Sequence, residues 1–214
     1  MNDFHDEHPA RPRVVGFDLD LTLVDTRARI LHSTMAAFAD LEVPMQESRI
    51  VPHLGIPLAD KVAALAPHLQ AAPFVAAYRD HYHRDGAPYA PATPGALEAL
   101  EAIHALGDRS VVVTAKVEWM GRDALADAGL LPRLDAVHGD LFAAQKSGAL
   151  REEGAWVYVG DHPGDMQAAH GAGAIAVGVT TGANDEAALR RAGADVVLAS
   201  LQEFRAWYAA RRAA

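Results

Sequence analysis

VVGFDLDLTLVDT, residues 14–26, is the stretch on which the reading of the whole chain turns. Its first four residues are apolar and include two β-branched valines, the composition of a strand. The run does not alternate with polar residues, as expected of a strand covered on both faces. Two carboxylates, Asp18 and Asp20, follow one residue apart, then Thr22 and a further apolar pair. A buried carboxylate without a partner costs several kcal/mol or takes up a proton. Acids in this position therefore call for compensating charge, and a divalent cation with a phosphate would supply it.

Similar apolar runs recur at 110–114, 155–159, 174–180 and 195–198, with a weaker one at 136–138. Helical patterns at 95–106, 118–130, 164–172 and 185–192 separate them. Strands alternating with helices predict right-handed βαβ units: an α/β, Rossmann-like parallel sheet core with helices on both faces. One interval breaks the rhythm. Residues 26–91 offer no strand, only helical stretches at 27–41, 57–66 and 73–83, punctuated by prolines at 44, 52, 57, 67 and 73. They predict an all-helical insertion after the first strand, with residues 1–25 and 92–214 forming the core. Asp25 and Thr26 suit the cap of the first inserted helix. APYAPATPG, residues 87–95, reads as the linker back into the core, with Pro94 in the first turn of the next helix.

Composition narrows the function. The 214 residues carry a formal net charge of −9, which argues against a nucleic-acid partner, since counterion release needs a basic face. Three arginines between 205 and 212 read as the solvated face of a terminal helix. No apolar run approaches the roughly 20 residues that span a bilayer, and the polar start of the chain lacks the apolar segment of a secretory signal. There is no cysteine, so thiolate chemistry and disulfides are excluded, and a cytoplasmic location fits.

In an open α/β sheet, ligands sit beyond the carboxyl ends of the strands. Those ends carry Asp18 and Asp20, then Thr114 in VVVTAK, then Asp161 and Asp165 in GDHPGD, while Lys146 lies after the weak strand. Four acids, a hydroxyl and a lysine thus converge on one edge. An all-oxygen acidic cluster suits Mg²⁺, and Lys146 with Thr114 can neutralise and orient a phosphate. A carboxylate can itself attack phosphorus and form an aspartyl-phosphate that water later cleaves.

These motifs resemble the haloacid dehalogenase-like phosphohydrolases, and among them the phosphoglycolate phosphatase-like branch, over about residues 14–201. The family's DxDxT stands as Asp18-Leu19-Asp20-Leu21-Thr22, its strand-end Ser/Thr as Thr114, its lysine as Lys146 and its GDxxxD as Gly160 to Asp165. The resemblance implies that Asp18 is the nucleophile and a metal ligand. Asp20 would be the general acid and then base, reaching the metal through its backbone carbonyl. Thr114 and Lys146 would bind phosphate, Asp161 and Asp165 would complete the Mg²⁺ site, and the insertion would be a cap over the active site. An acid at Asp20 favours phosphate esters over dehalogenation. The implied substrate is a small phosphorylated metabolite such as 2-phosphoglycolate. The alternatives are a sugar-phosphate mutase of the same architecture and a noncatalytic phosphate-binding module.

Two positions depart from the pattern. Leu21 stands where glycine is common and calls for a rearranged turn, and Ala115 stands where asparagine is frequent. Lys116 is a rival to Lys146 for the phosphate. In the segment HLGIPLADK, residues 53–61, Gly55 would face the active site, and Lys61 or His53 could meet a second anionic group of the substrate. His81 and His83 have the wrong spacing for a helical metal pair, His162 reads equally well as structural, and His5 and His8 belong to a frayed start.

Overall fold

The computed structural model describes residues 12–84, 87–142 and 144–213; His5 and His8 lie outside them. Six strands form one sheet: β1 (Val14–Phe17), β2 (Arg109–Val113), β3 (Ala136–His138), β4 (Ala155–Gly160), β5 (Ile175–Val179) and β6 (Val196–Leu198). Every pairing is parallel, and the spatial order is β3-β2-β1-β4-β5-β6. The order reverses beside β1, which pairs with β2 on one side and β4 on the other. Such a reversal opens a crevice at the strand's carboxyl end, where Asp18 begins.

Between β1 and β2 run α1 (Arg27–Asp40), α2 (Glu47–Ile50), α3 (Leu58–Leu65), α4 (Ala71–His83) and α5 (Ala96–Ala105). The remaining helices are α6 (Glu118–Asp127), α7 (Ala144–Glu153), α8 (Pro163–Ala172), α9 (Glu186–Arg191) and α10 (Phe204–Ala213). Because strand side chains alternate, Val15, Phe17, Val112 and Val159 pack with Leu100, Leu125 and Phe204 of α5, α6 and α10. Val14, Val111 and Tyr158 face the other way, onto Leu150, Met166 and Leu189 of α7, α8 and α9. Gly16 keeps the central strand close to that second layer: a Cβ there would come within 2.7 Å of Leu150 and 2.9 Å of Tyr158.

Helices α1, α3 and α4 share a separate apolar cluster that includes Phe38, Val62, Phe74, Tyr78 and Tyr82. Leu21 joins it from the loop after β1 and Met120 joins it from α6. Leu21 adopts a left-handed backbone (φ 60°), the conformation glycine enters most readily. A non-glycine residue there costs about 1–3 kcal/mol. Burial of the leucine side chain, 2% exposed, returns a similar amount.

Several local readings change. α2 and the 3₁₀ turn Val51–His53 fall where the sequence shows no helical period, because neither is long enough to display one. Pro94 precedes α5 instead of lying in its first turn: Ala96 N–H closes a turn on Thr93, and Gly95 adopts φ 88° against the backbone of Leu201 and Gln202. Thr26 holds the N-cap position of α1 without a side-chain bond, and Asp25 accepts from Arg27 N–H instead. The terminal helix is not wholly a solvated face, since the Arg212 guanidinium bonds to buried Asp108 (2.9 Å). His81 pairs with Asp40 at 2.8 Å.

Candidate active site

Asp18 leaves β1 with its N–H bonded to Val159 of the neighbouring β4, which fixes its backbone beside the GDHPGD segment. One carboxylate oxygen from each of Asp18, Asp161 and Asp165 falls within 4.8 Å of the others, and all three residues are buried. Lys146 reaches them from the first turn of α7, with its ammonium 3.0 Å from Asp18 and 2.7 Å from Asp165. The helix begins before the lysine, at Ala144.

The electrostatics follow from this crowding. Burial, reinforced by Asp165 and Asp18, pushes the Asp161 carboxyl well above its ordinary value. Burial also raises Asp18, against the pull of Lys146. Burial alone would lower Lys146, but Asp165 and Asp18 hold it well above the ordinary lysine value. Fully ionised, three carboxylates against one ammonium would carry two net negative charges, the complement of a divalent cation. The donors are all oxygen, which suits Mg²⁺ better than a softer metal.

Neighbouring residues hold these acids in place. Asp165 accepts from His162 N–H through one oxygen and from Lys146 through the other, so it caps α8 and serves the cluster at once. His162 completes the cap, its Nδ1 accepting from Gly164 N–H. A Cβ on Gly160 would collide with the Asp165 carboxylate, and one on Gly182 would collide with that of Asp161. Thr22 donates to Asp161 Oδ1 at 3.4 Å, and Asn184 donates to its backbone carbonyl. Sequence reasoning missed Gly182 and Asn184; the only signal was the small and polar run TTGAND directly after β5.

Thr114 follows the last residue of β2, buried, with its hydroxyl oxygen accepting from Lys116 N–H. The Asp20 carboxylate stands outside the three-acid cluster and pairs with Lys116 at 3.1 Å. The two lysines thus divide the two motif acids, Lys146 going to Asp18 and Lys116 to Asp20. Lys116 also lies 4.3 Å from the centre of the Tyr82 ring, which links the helical layer to this edge. At Gly55 (φ 85°) a Cβ would stand 3.1 Å from the His162 ring. His53 instead bonds its ring to the Arg49 carbonyl.

A model of the haloacid dehalogenase-like hydrolases matches residues 15–179. The chain is 30% identical over 213 residues to a protein of Dickeya dadantii named "Probable phosphatase IndB", covering 90% of this chain and 91% of that one. It is also 30% identical to a phosphoglycolate phosphatase of Agrobacterium fabrum, over 83% of this chain and 84% of the relative. Among solved structures, a haloacid dehalogenase-like family hydrolase from Streptococcus pneumoniae superposes with a TM-score of 0.82, at 24% identity, over 92% of this chain and 98% of that one.

Proposed function

This chain belongs to the haloacid dehalogenase-like hydrolases and is a phosphatase of that family, and we propose that it hydrolyses a small phosphomonoester, phosphoglycolate-like, through an aspartyl-phosphate on Asp18. One observation carries the reading: a buried carboxylate at the switch point of the sheet, 3.0 Å from a lysine and grouped with two further carboxylates.

Asp18 supplies the nucleophilic oxygen, and its fixed backbone keeps that oxygen at the crevice floor. Lys146 and the Thr114 hydroxyl face the transferring phosphoryl group, where fixed donors stabilise charge most effectively. Asp20, separate from the cluster, donates a proton to the leaving oxygen and then takes one from the water that cleaves the intermediate. Asp18, Asp161 and Asp165, with the Asp20 carbonyl, would hold Mg²⁺. The ion would offset the charge of the phosphate oxygens. Residues 26–91 act as the cap: Leu21 and Met120 pack into their apolar cluster, and Gly55 lies against His162. The composition and the absence of a described helix able to cross a membrane fit an enzyme working on a metabolite in the cytoplasm.

The test is phosphate release from p-nitrophenyl phosphate and 2-phosphoglycolate with and without Mg²⁺. Mg²⁺-dependent turnover that Asp18→Asn abolishes is expected. Full turnover by Asp18→Asn would overturn the assignment.

A further inference from the structure

Residues 181–184, in the turn that follows β5, take no part in the backbone–backbone hydrogen bonds made among the described residues. Yet this turn packs directly on Asp161. The Asp161 Oδ2 fills the space that a Cβ on Gly182 would need, and the Asn184 amide donates to the Asp161 backbone carbonyl at 3.2 Å. The root of the helical insertion holds the turn there. Arg27, the first residue of α1, donates from one terminal nitrogen to the carbonyls of Thr181 and Gly182, 3.2 Å from each. The Thr181 hydroxyl donates to the carbonyl of Leu21, whose own side chain lies in the helical cluster. A cation in the first turn of a helix opposes the helix dipole, so α1 itself gains nothing from Arg27. The use of its guanidinium lies 154 residues away.

We propose that Arg27 is a positioning residue for the metal site: by clamping the turn at Thr181 and Gly182, it keeps the Asp161 carboxylate where Mg²⁺ would need it. The inference rests on the phosphatase reading, which gives Asp161 to the metal, and extends that site to a residue of the insertion. The Asp161 carboxylate stands between two walls, the Thr22 hydroxyl 3.4 Å from Oδ1 and the Gly182 backbone against Oδ2. Releasing the turn frees one wall. Mg²⁺ tolerates little departure from octahedral geometry, so a loosened carboxylate binds it more weakly. The charge of Arg27 acts in the opposite sense, because removing a nearby cation would by itself tighten Mg²⁺ binding. The sign of the change therefore separates positioning from simple electrostatics.

Isothermal titration calorimetry with Mg²⁺ alone tests this in the wild type, Arg27→Met, Arg27→Lys, Thr181→Val and Arg49→Met. Arg49 is the control, since its guanidinium also donates to a backbone carbonyl, that of Leu65, but within the insertion. Arg27→Met should weaken Mg²⁺ binding about tenfold, the lower end of what groups behind direct ligands contribute. Arg27→Lys should recover part of the loss, and Thr181→Val should weaken binding in the same direction by a smaller factor. Arg49→Met should bind Mg²⁺ as the wild type does. The Mg²⁺ concentration for half-maximal phosphate release from p-nitrophenyl phosphate should rise in step with the calorimetric change. Wild-type or tighter Mg²⁺ binding by Arg27→Met, whatever its melting temperature, overturns the inference; if that variant does not fold, unaltered binding by Thr181→Val does so. A wild type that hydrolyses the ester without binding Mg²⁺ overturns the inference alone. One that binds Mg²⁺ with the expected pattern but hydrolyses no ester keeps it and removes the phosphatase reading, and one that does neither overturns both.

Discussion

Lys116 sets its ammonium 3.1 Å from the Asp20 carboxylate, two residues beyond an Asp18 that is held by a different lysine, Lys146. Separate cationic partners keep the two acids of one short motif electrostatically distinct. Asp18 belongs to the three-acid cluster, and Asp20 lines the cavity between the helical layer and the sheet edge.

If Asp20 protonates the leaving oxygen, its loss matters most when that oxygen is strongly basic. Asp20→Asn should cost about 10²–10⁴-fold in kcat with an alkyl phosphate. The loss with p-nitrophenyl phosphate, whose phenolate leaves without help, should be at least tenfold smaller. Steady-state kinetics on the two esters read the difference; equal losses would remove Asp20 from the acid role.

Gly160 leaves the space that the Asp165 carboxylate occupies. Gly160→Ala should push Asp165 off Lys146 while leaving the strand paired. The Mg²⁺ concentration giving half-maximal activity should rise at least tenfold, with far-ultraviolet circular dichroism unchanged. An unaltered Mg²⁺ dependence would show that Asp165 does not need this position.

Leu21 carries opposing effects. Leu21→Gly relieves the left-handed strain, about 1–3 kcal/mol, but empties a leucine-sized space in the helical cluster, worth about 2–5 kcal/mol. The net expectation is destabilisation by about 2 kcal/mol in urea unfolding. A stabilised variant would mean that strain outweighs packing there.

Asp108 ties both ends of the core together, accepting from Arg13 N–H, the Tyr208 hydroxyl and Arg212. Burial would raise its carboxyl, but the Arg212, Arg13 and Tyr208 bonds outweigh that and hold it below its ordinary value. A depressed carboxylate adds stability above the unfolded-state pKa and loses it as pH falls through the folded one. Wild-type stability should therefore drop below about pH 4, and Asp108→Asn should flatten that part of the curve. Urea midpoints measured from pH 5 to pH 3 check it.

The sheet was legible because β1, β4 and β5 are largely continuous apolar runs and β2 ends in one at Val111–Val113, a pattern that burial on both faces forces on a parallel strand. The acids were legible because strand ends are where such a sheet presents its chemistry. Contacts made across long stretches of chain were not. Lys116 read as a rival phosphate ligand, and only the fold shows it on Asp20. Arg212 read as solvated because its partner lies 104 residues away. The left-handed turn at Leu21 was hidden because its compensation comes from a helical cluster that local sequence does not announce.

Quenching the wild-type enzyme in acid during turnover of 2-phosphoglycolate, then mapping its peptides by mass spectrometry, asks directly whether Asp18 attacks phosphorus. One phosphoryl group on the peptide containing Asp18, absent from Asp18→Asn, is the expected result. Sustained turnover with no label on that peptide, or with the label on another residue, would contradict it.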